Sequence, residues 1–189
     1  MKSGMSIVLL TTLALALPVS FAAEDPLLDH PGFVDFSGLT AIAGNEPNVE
    51  ISLKEPLLEL ITNILRNNDE ESAAFVSKLL RVSVNVYENP SLDTALLAMT
   101  MSEIAQELDA QRWERVMRVR DVDEHVDVYF RLSDTADIIY GVAIMVAEPG
   151  ETVLVNIVGD ISPSDIGALA ARFDIKELQG LDYTAGQTD

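Results

Sequence analysis

The chain has 189 residues, of which 48% are hydrophobic, and it contains no cysteine. That length and apolar content fit one folded domain, while the missing thiols exclude disulfides, thiol catalysis and cysteine-ligated metal centres. Twelve Lys and Arg against 31 Asp and Glu give a formal net charge of −19, which excludes nucleic acid as a partner because phosphate binding requires Lys and Arg.

The acidity has two interpretations. It is either a solvated surface, as in proteins of a salty medium, or a means of attracting a basic partner or divalent cations. The acidic turn 121–125 (DVDEH) does not fit a calcium loop, because the sixth and twelfth positions from Asp121 are Val126 and Leu132 instead of Gly and Glu. We therefore expect no defined metal site, although weak binding of divalent cations stays open.

Residues 1–22 have the features of a secretory signal peptide. Lys2 supplies a positive charge, residues 7–17 (IVLLTTLALAL) form an apolar core, and residues 20–22 (SFA) carry small residues at a cleavage site. As a helix this core spans about 17 Å, less than the ~30 Å of bilayer hydrocarbon; an uncleaved anchor reaching Ala23 is the alternative. We expect a periplasmic protein without stable membrane insertion after cleavage, and no lipoprotein because no cysteine follows.

The first half of the domain alternates between the periods of strands and helices. The predicted strands are a short edge strand at 33–36, then 49–53 and 82–86. A helix from Pro56 has Leu57, Leu60, Ile61 and Ile64 as its apolar stripe. A shorter helix from about Glu70 has Phe75, Val76, Leu79 and Leu80 as its inner face, and a long helix, capped by Ser91, runs to about Ala110.

From Trp113 onward the period is two, which predicts a four-stranded antiparallel meander ending with the strand 152–158. The strand at 138–147 is apolar on both faces, and its small residues would let a helix pack closely. The fold class is therefore α+β, a mainly antiparallel sheet packed by about four helices as a two-layer sandwich. Residues 23–176 form this single domain, and residues 177–189 form a flexible C-terminal tail.

Basic and aromatic residues cluster on the first two strands of the meander. The candidate interaction patch comprises Trp113, Arg118, Arg120, Tyr129 and Arg131. Such a patch could bind carboxylates or a peptide. The alternative is that these arginines pair across the strands with acids such as Glu114 and Asp127.

We find no recognisable catalytic, cofactor-binding or metal-binding constellation. His125 and Asp127 point to the same side of a strand, as two members of a hydrolase triad would, yet the chain has no Gly-x-Ser-x-Gly nucleophile motif. The other histidine, His30, is too distant in sequence to suggest a zinc site. We therefore expect a protein that is not an enzyme and uses no cofactor.

The stretch 155–170 (VNIVGDISPSDIGALA) resembles a phosphate or metal site but is interpreted as a structural corner. Gly159 lets the chain turn after a strand, Ser162 caps a helix with Pro163 at its first position, and Asp165 completes a capping box. Asp160 and Asp165 would repel a phosphate at this helix end. A cation held by these two carboxylates is the alternative.

The order of several segments resembles a family of exported bacterial proteins known as domain of unknown function 4252. The resemblance spans about residues 31–173, and the segments that carry it are PGFVDFSGL (31–39), VEISLKEPLLELI (49–61), RWERVMRVR (112–120), VDVYFRL (126–132) and VNIVGDISPSDIGALA (155–170). It implies an exported α+β domain of a Gram-negative-type envelope. The family has no established activity, so it supplies no catalytic residue.

These observations favour an exported, non-enzymatic binding or interaction domain whose partner is an unknown envelope protein or peptide. Two alternatives belong to other classes. One is a small periplasmic hydrolase, and the other is an acidic structural or stress-related envelope protein.

Overall fold

The computed structural model describes residues 25–43, 46–89, 94–121 and 124–166. The helices are α1 (Ser37–Ala43), α2 (Glu55–Leu65), α3 (Glu70–Val76) and α4 (Thr94–Ala110), after a 3₁₀ helix at Pro26–Asp29. The strands are β1 (Val49–Lys54), β2 (Leu79–Glu88), β3 (Trp113–Arg120), β4 (His125–Leu132), β5 (Ile139–Glu148) and β6 (Glu151–Ile161). The predicted signal peptide, the Ser91 cap and the tail at 177–189 lie outside the described residues.

The strands form one antiparallel sheet in the order β1-β2-β6-β5-β4-β3. The predicted meander is confirmed as β3 to β6, and β2 joins it beside β6. The predicted edge strand at 33–36 is wrong, because these residues pair with no strand. They cross a face of the sheet, where the backbone N–H of Val34 bonds to a side chain of β6.

One face of the sheet packs against α1 and α4. Leu39 of α1 and Leu108 of α4 share a buried cluster with Tyr129, Ala143 and Leu154 of the sheet. Ala143 is fully buried there, as expected for a small residue beneath a helix. This cluster is the larger of the two cores in the described chain and fixes the position of the long helix.

The opposite face packs against α2 and α3 near the start of β2. Leu58 of α2 joins Leu79, Val128 and Val142 in a second cluster, and Phe75 of α3 packs against it. Val128 and Val142 are direct neighbours of Tyr129 and Ala143, so side-chain alternation along the strands puts the two clusters on opposite faces. The α+β class and the helix-packed antiparallel sheet are confirmed, with helices on both faces instead of the single helical layer of a two-layer sandwich.

The second predicted helix is shorter than its apolar pattern indicated. α3 ends at Val76, and Leu79 already belongs to β2. β2 pairs with β1 on one side and with β6 on the other. Leu79 and Leu80 therefore belong to β2 instead of the helix, because hydrogen bonds to strands on both sides satisfy the backbone groups of β2.

The side chain of Asn156 on β6 holds the N-terminal segment against the sheet. Its Oδ1 accepts from Val34 N at 3.1 Å, and its Nδ2 donates to Gly32 O at 3.0 Å and Val142 O at 3.2 Å. Asn156 is only 1% exposed, so these bonds lie in a region that excludes water. The segment at 32–34 is thereby fixed across β5 and β6.

The same crossing requires two glycines. A Cβ on Gly32 would lie 1.8 Å from Tyr140 O, and a Cβ on Gly141 would lie 2.5 Å from Gly32 Cα. Both distances are far below van der Waals contact. No side chain other than hydrogen fits at either position without moving the backbone.

We expect Asn156→Ala to lower the free energy of unfolding by about 2–4 kcal/mol, because it leaves buried backbone groups of the N-terminal segment without partners. Urea denaturation followed by circular dichroism measures this change. The matched control is Asn63→Ala on α2, whose exposed side chain accepts a bond from Arg66 and whose loss should change stability by no more than ~0.5 kcal/mol. Equal effects of the two substitutions would contradict the role assigned to Asn156.

Candidate interaction surface

The structure brings two of the three arginines of the predicted patch together around a buried carboxylate. Arg118 Nε donates to Asp127 Oδ1 at 3.1 Å, and Arg120 Nη2 contacts Asp127 Oδ2 at 2.5 Å. The Asp127 side chain is fully buried, while the two arginine side chains are 44% and 38% exposed. The hydrogen bond to Asp127 is the main cause of the raised pKa of Arg118. Both guanidinium groups therefore already bind a carboxylate of the same chain.

The aromatic members of the patch are not accessible. Trp113 is 4% exposed and Tyr129 is fully buried. Arg115, on the same strand as Trp113, donates to Tyr129 Oη at 3.0 Å and lies over its ring at 5.7 Å. Arg131 is half-buried and donates to Leu132 O. This geometry favours cross-strand pairing over an open peptide-binding patch.

The two histidines lie in separate environments. His125 is half-buried on β4, and both oxygens of the nearby Asp127 are held by arginines. His30 Nδ1 accepts from Gly32 N at 3.1 Å, and burial lowers the pKa of His30, an effect that Asp160 partly offsets. His30 lines a cleft of about 480 Å³ beside α4. Within the described residues, no three His, Asp or Glu side chains are grouped to hold a metal ion.

Gly159 has a different role from the one predicted. It lies inside β6, which continues to Ile161, so the chain does not turn there. A Cβ on Gly159 would lie 2.4 Å from Lys78 O, and the next residue, Asp160, donates its N–H to that same oxygen at 2.9 Å. The glycine is needed because the backbone preceding β2 approaches β6 closely.

The capping interaction of the corner is present and includes a residue that sequence reasoning missed. Asp165 Oδ2 accepts from Ser162 N at 2.8 Å and from Ser162 Oγ at 2.5 Å. Lys78 Nζ lies 2.7 Å from the same oxygen. Sequence spacing could not reveal this pair, because Lys78 is 87 positions away. Lys78 thus supplies a positive charge to Asp165. In the alternative interpretation of the sequence, a bound cation would have supplied it.

The pKa of Asp165 reflects opposing effects. Burial of the carboxylate raises it, hydrogen bonds from Lys78 and Ser162 lower it, and the net pKa lies below the ordinary value of 3.8. Because the folded-state pKa is the lower one, this carboxylate contributes stability above the ordinary pKa and loses that contribution as the pH falls through the folded-state pKa.

We therefore expect Asp165→Asn to lower the free energy of unfolding at pH 7 and the difference from the unsubstituted protein to shrink as the pH falls below 3.8. Urea titrations at a series of pH values measure it. Glu103→Gln, which changes an exposed carboxylate on α4, is the control and should leave the pH profile unchanged. A stability loss independent of pH would contradict the role of this ion pair.

The largest exposed apolar residues concentrate in one stretch of the chain. Nine large hydrophobic residues are exposed among those described, and five of them lie between positions 49 and 64. We call these five the β1–α2 surface, and they are Val49 (47% exposed), Ile51 (42%), Leu57 (41%), Leu60 (54%) and Ile64 (59%). Clustering of this kind is typical of interaction sites, whereas single exposed apolar residues are common on any protein.

The helix α2 exposes most of the apolar stripe identified in its sequence. Its buried residues are Leu58 and Thr62, and Thr62 Oγ1 satisfies its hydrogen bond within the helix by donating to Leu58 O at 2.8 Å. An apolar stripe normally faces the core. In α2 the face that contacts the core is instead the one with Leu58 and Thr62. Leu57, Leu60 and Ile64 of the apolar stripe are therefore exposed to solvent.

The two edge strands of the described sheet differ in how they are protected. β3 carries Glu114, Arg115, Arg118 and Arg120, and its register with β4 shifts between Arg115 and Met117. Charges and irregular register are the usual devices that prevent pairing with another chain. β1 (VEISLK) has only Glu50 and Lys54 as charges and pairs with β2 in unbroken register. β1 is thus the edge suited to accept a further strand.

Within the part of the chain that the structure describes, the geometry defines an α+β domain with one unprotected sheet edge beside an exposed apolar helix face. The family model described as "Domain of unknown function (DUF4252)" matches residues 43–169, which is more than half of the chain. The protein therefore belongs to the DUF4252 family, as the resemblance implied. No curated protein and no solved structure shows significant similarity to it.

The described helices include no candidate for a membrane span. None of them combines the length and the apolar character that crossing a bilayer requires.

Proposed function

We propose that this protein is an exported, non-enzymatic interaction domain of the periplasm, and that the β1–α2 surface binds an extended segment of another envelope protein. The observation that carries the proposal is the contiguity of β1 and α2. Lys54 ends the strand and Glu55 begins the helix, so an open edge and an exposed apolar helix face are adjacent. A strand added to β1 would gain backbone hydrogen bonds from the edge and side-chain contacts from the helix.

The charge of the surface indicates the chemistry of the partner. Glu50, Glu55 and Glu59 are exposed on the same two elements, whereas Lys54 is already engaged by Asp25 at 3.3 Å. The whole chain is also strongly acidic, at −19. The partner segment should therefore combine β-branched or other apolar residues with Lys or Arg, which would be attracted by this field.

Site-specific photo-crosslinking in the producing cells tests this proposal. A crosslinking amino acid at Ile51 or Leu60 should yield a defined adduct with another envelope protein, because both positions lie on the proposed surface. The matched control is Val116 on the other edge strand, which is 40% exposed and should yield no such adduct. Mass spectrometry of the adduct identifies the partner segment and its charge.

A second variant separates binding from folding. Leu60→Glu with Ile64→Glu should abolish the adduct formed from Ile51 and leave the Tm nearly unchanged, because both side chains are more than half exposed. Equal crosslinking from Ile51 and Val116, or an adduct that survives the double substitution, would contradict the proposal.

Export is tested independently. We expect the mature protein to be recovered from the periplasmic fraction with Ala23 as its first residue, since cleavage after residues 20–22 removes the predicted signal peptide. Intact-mass measurement after osmotic-shock fractionation reads this directly. Replacing a residue in the apolar core, for example Leu13→Arg, should retain the precursor in the cytoplasm. Recovery of the native periplasmic protein with Met1 intact would contradict it.

A further inference from the structure

A cleft lies between the N-terminal segment and the C-terminal half of α4, on the face of the sheet opposite α2. Its volume is about 480 Å³, within the range of about 300–1,000 Å³ that is typical of small-molecule sites. One wall is formed by residues 28–31 and 33–35, and the other by residues of α4 between Ile104 and Gln111. We call it the N-terminal cleft. The proposed function makes no use of it.

Both walls of the N-terminal cleft are fixed by the core of the protein. The buried side chain of Asn156 bonds to the backbone of Gly32 and Val34, which holds the first wall against the sheet. On the second wall, Ile104 and Leu108 belong to the buried cluster between α4 and the sheet. A site whose walls are already ordered loses little conformational freedom on binding. The cleft is therefore preformed for a ligand.

The interior of the cleft is largely apolar. Six of its eleven lining residues have apolar side chains. Val34, Ile104 and Leu108 are buried, and Phe33 is half-buried. Small-molecule sites usually combine such walls with a few polar groups that orient the ligand.

The charged side chains that line the cleft are all negative. Asp29, Asp35 and Glu107 are exposed, and no Lys or Arg is among the eleven described residues that line it. Asp35 Oδ1 accepts from Ser37 N at 2.8 Å, but within the described chain none of the three carboxylates forms an ion pair. His30 adds no positive charge at neutral pH, because burial lowers its pKa.

Neither the nearby arginine nor a metal ion matches this arrangement. Arg81 lies over the ring of Phe33 at 5.8 Å, but it is paired with Asp25 at 3.1 Å and does not line the cleft. In the described part of the chain, no three His, Asp or Glu side chains are close enough together to hold a metal ion. Apolar walls also offer no ligands to a hydrated ion.

We infer that the N-terminal cleft binds a small organic cation, which carries an ammonium or guanidinium group on an apolar body. The apolar body would pack against Phe33 and Ile104, and the charged group would lie among the three carboxylates. The cavity and its fixed apolar walls indicate a site, and the charges decide the class of ligand. Binding here requires neither β1 nor α2, so it is independent of the proposed function.

Fluorescence titration of the full chain with dansylcadaverine tests this inference, because the probe joins an apolar ring system to one ammonium group. The matched probe is N-acetyl-dansylcadaverine, which has the same apolar body and no charge. We expect saturable binding of dansylcadaverine at one site per chain, and about tenfold weaker binding of the acetylated probe. Equal affinities for the two probes, or no binding of either, would overturn the inference.

Two substitutions locate the bound probe. Glu107→Gln should weaken the binding of dansylcadaverine about threefold, because it removes one of three partly screened carboxylates. Gln111→Arg places a positive charge in the cleft and should weaken binding by about tenfold or more.

The matched control is Asp109→Asn, which removes the same charge from an exposed position of α4 that does not line the cleft. It should leave the affinity unchanged. Glu107 and Gln111 are exposed as well, so all three variants should keep the Tm of the unsubstituted protein. Equal weakening by Glu107→Gln and Asp109→Asn would place the probe outside the cleft and contradict the assignment.

Discussion

The fold depends on one buried side chain more than on any other. Asn156 joins three backbone groups, two from the N-terminal segment and one from β5, in a place where none of them can reach water. The contact is possible only because Gly32 and Gly141 let two backbones approach closely. Once this segment is fixed, Val34 and Phe36 join the core beneath α4. The segment then leads into α1, whose Leu39 and Ala43 belong to the same core.

The two faces of the sheet are covered unequally, and the surface chemistry follows from that. The face of α1 and α4 carries a large cluster of buried apolar residues. The same face also carries an ionic cluster, in which both carboxylate oxygens of Asp127 are bound by Arg118 and Arg120. Those arginines stabilise a buried charge, so they offer little to a ligand. On the other face, α2 and α3 cover only one end, and apolar side chains remain at the surface. Five of the nine large apolar residues that are exposed in the described chain therefore lie beside one open strand edge.

Much of the architecture could be predicted from the sequence because local periodicity encodes it. The meander, the long helix and the antiparallel sheet follow from alternation and turns, and the structure contains all three. The candidate site could not be predicted in this way. Arg118, Tyr129 and Trp113 have the composition of a binding patch, but whether they face solvent depends on Asp127 of the neighbouring strand and on the buried cluster that the two aromatic residues join. Likewise, Leu57, Leu60 and Ile64 have the pattern of a buried stripe and are exposed.

The sequence by itself determined the class of fold, the positions of most strands and helices, the family and the strongly acidic charge, because these depend on composition and on the spacing of neighbouring residues. Only the tertiary structure decided which side chains are exposed and which are buried or paired. Lys78 meets Asp165, Gly159 accommodates the backbone at Lys78, and Asn156 binds Val34. Each of these contacts joins residues more than 75 positions apart (81 positions in the case of Gly159 and Lys78). The physical reason is that burial and pairing depend on distance in space, which local spacing does not specify.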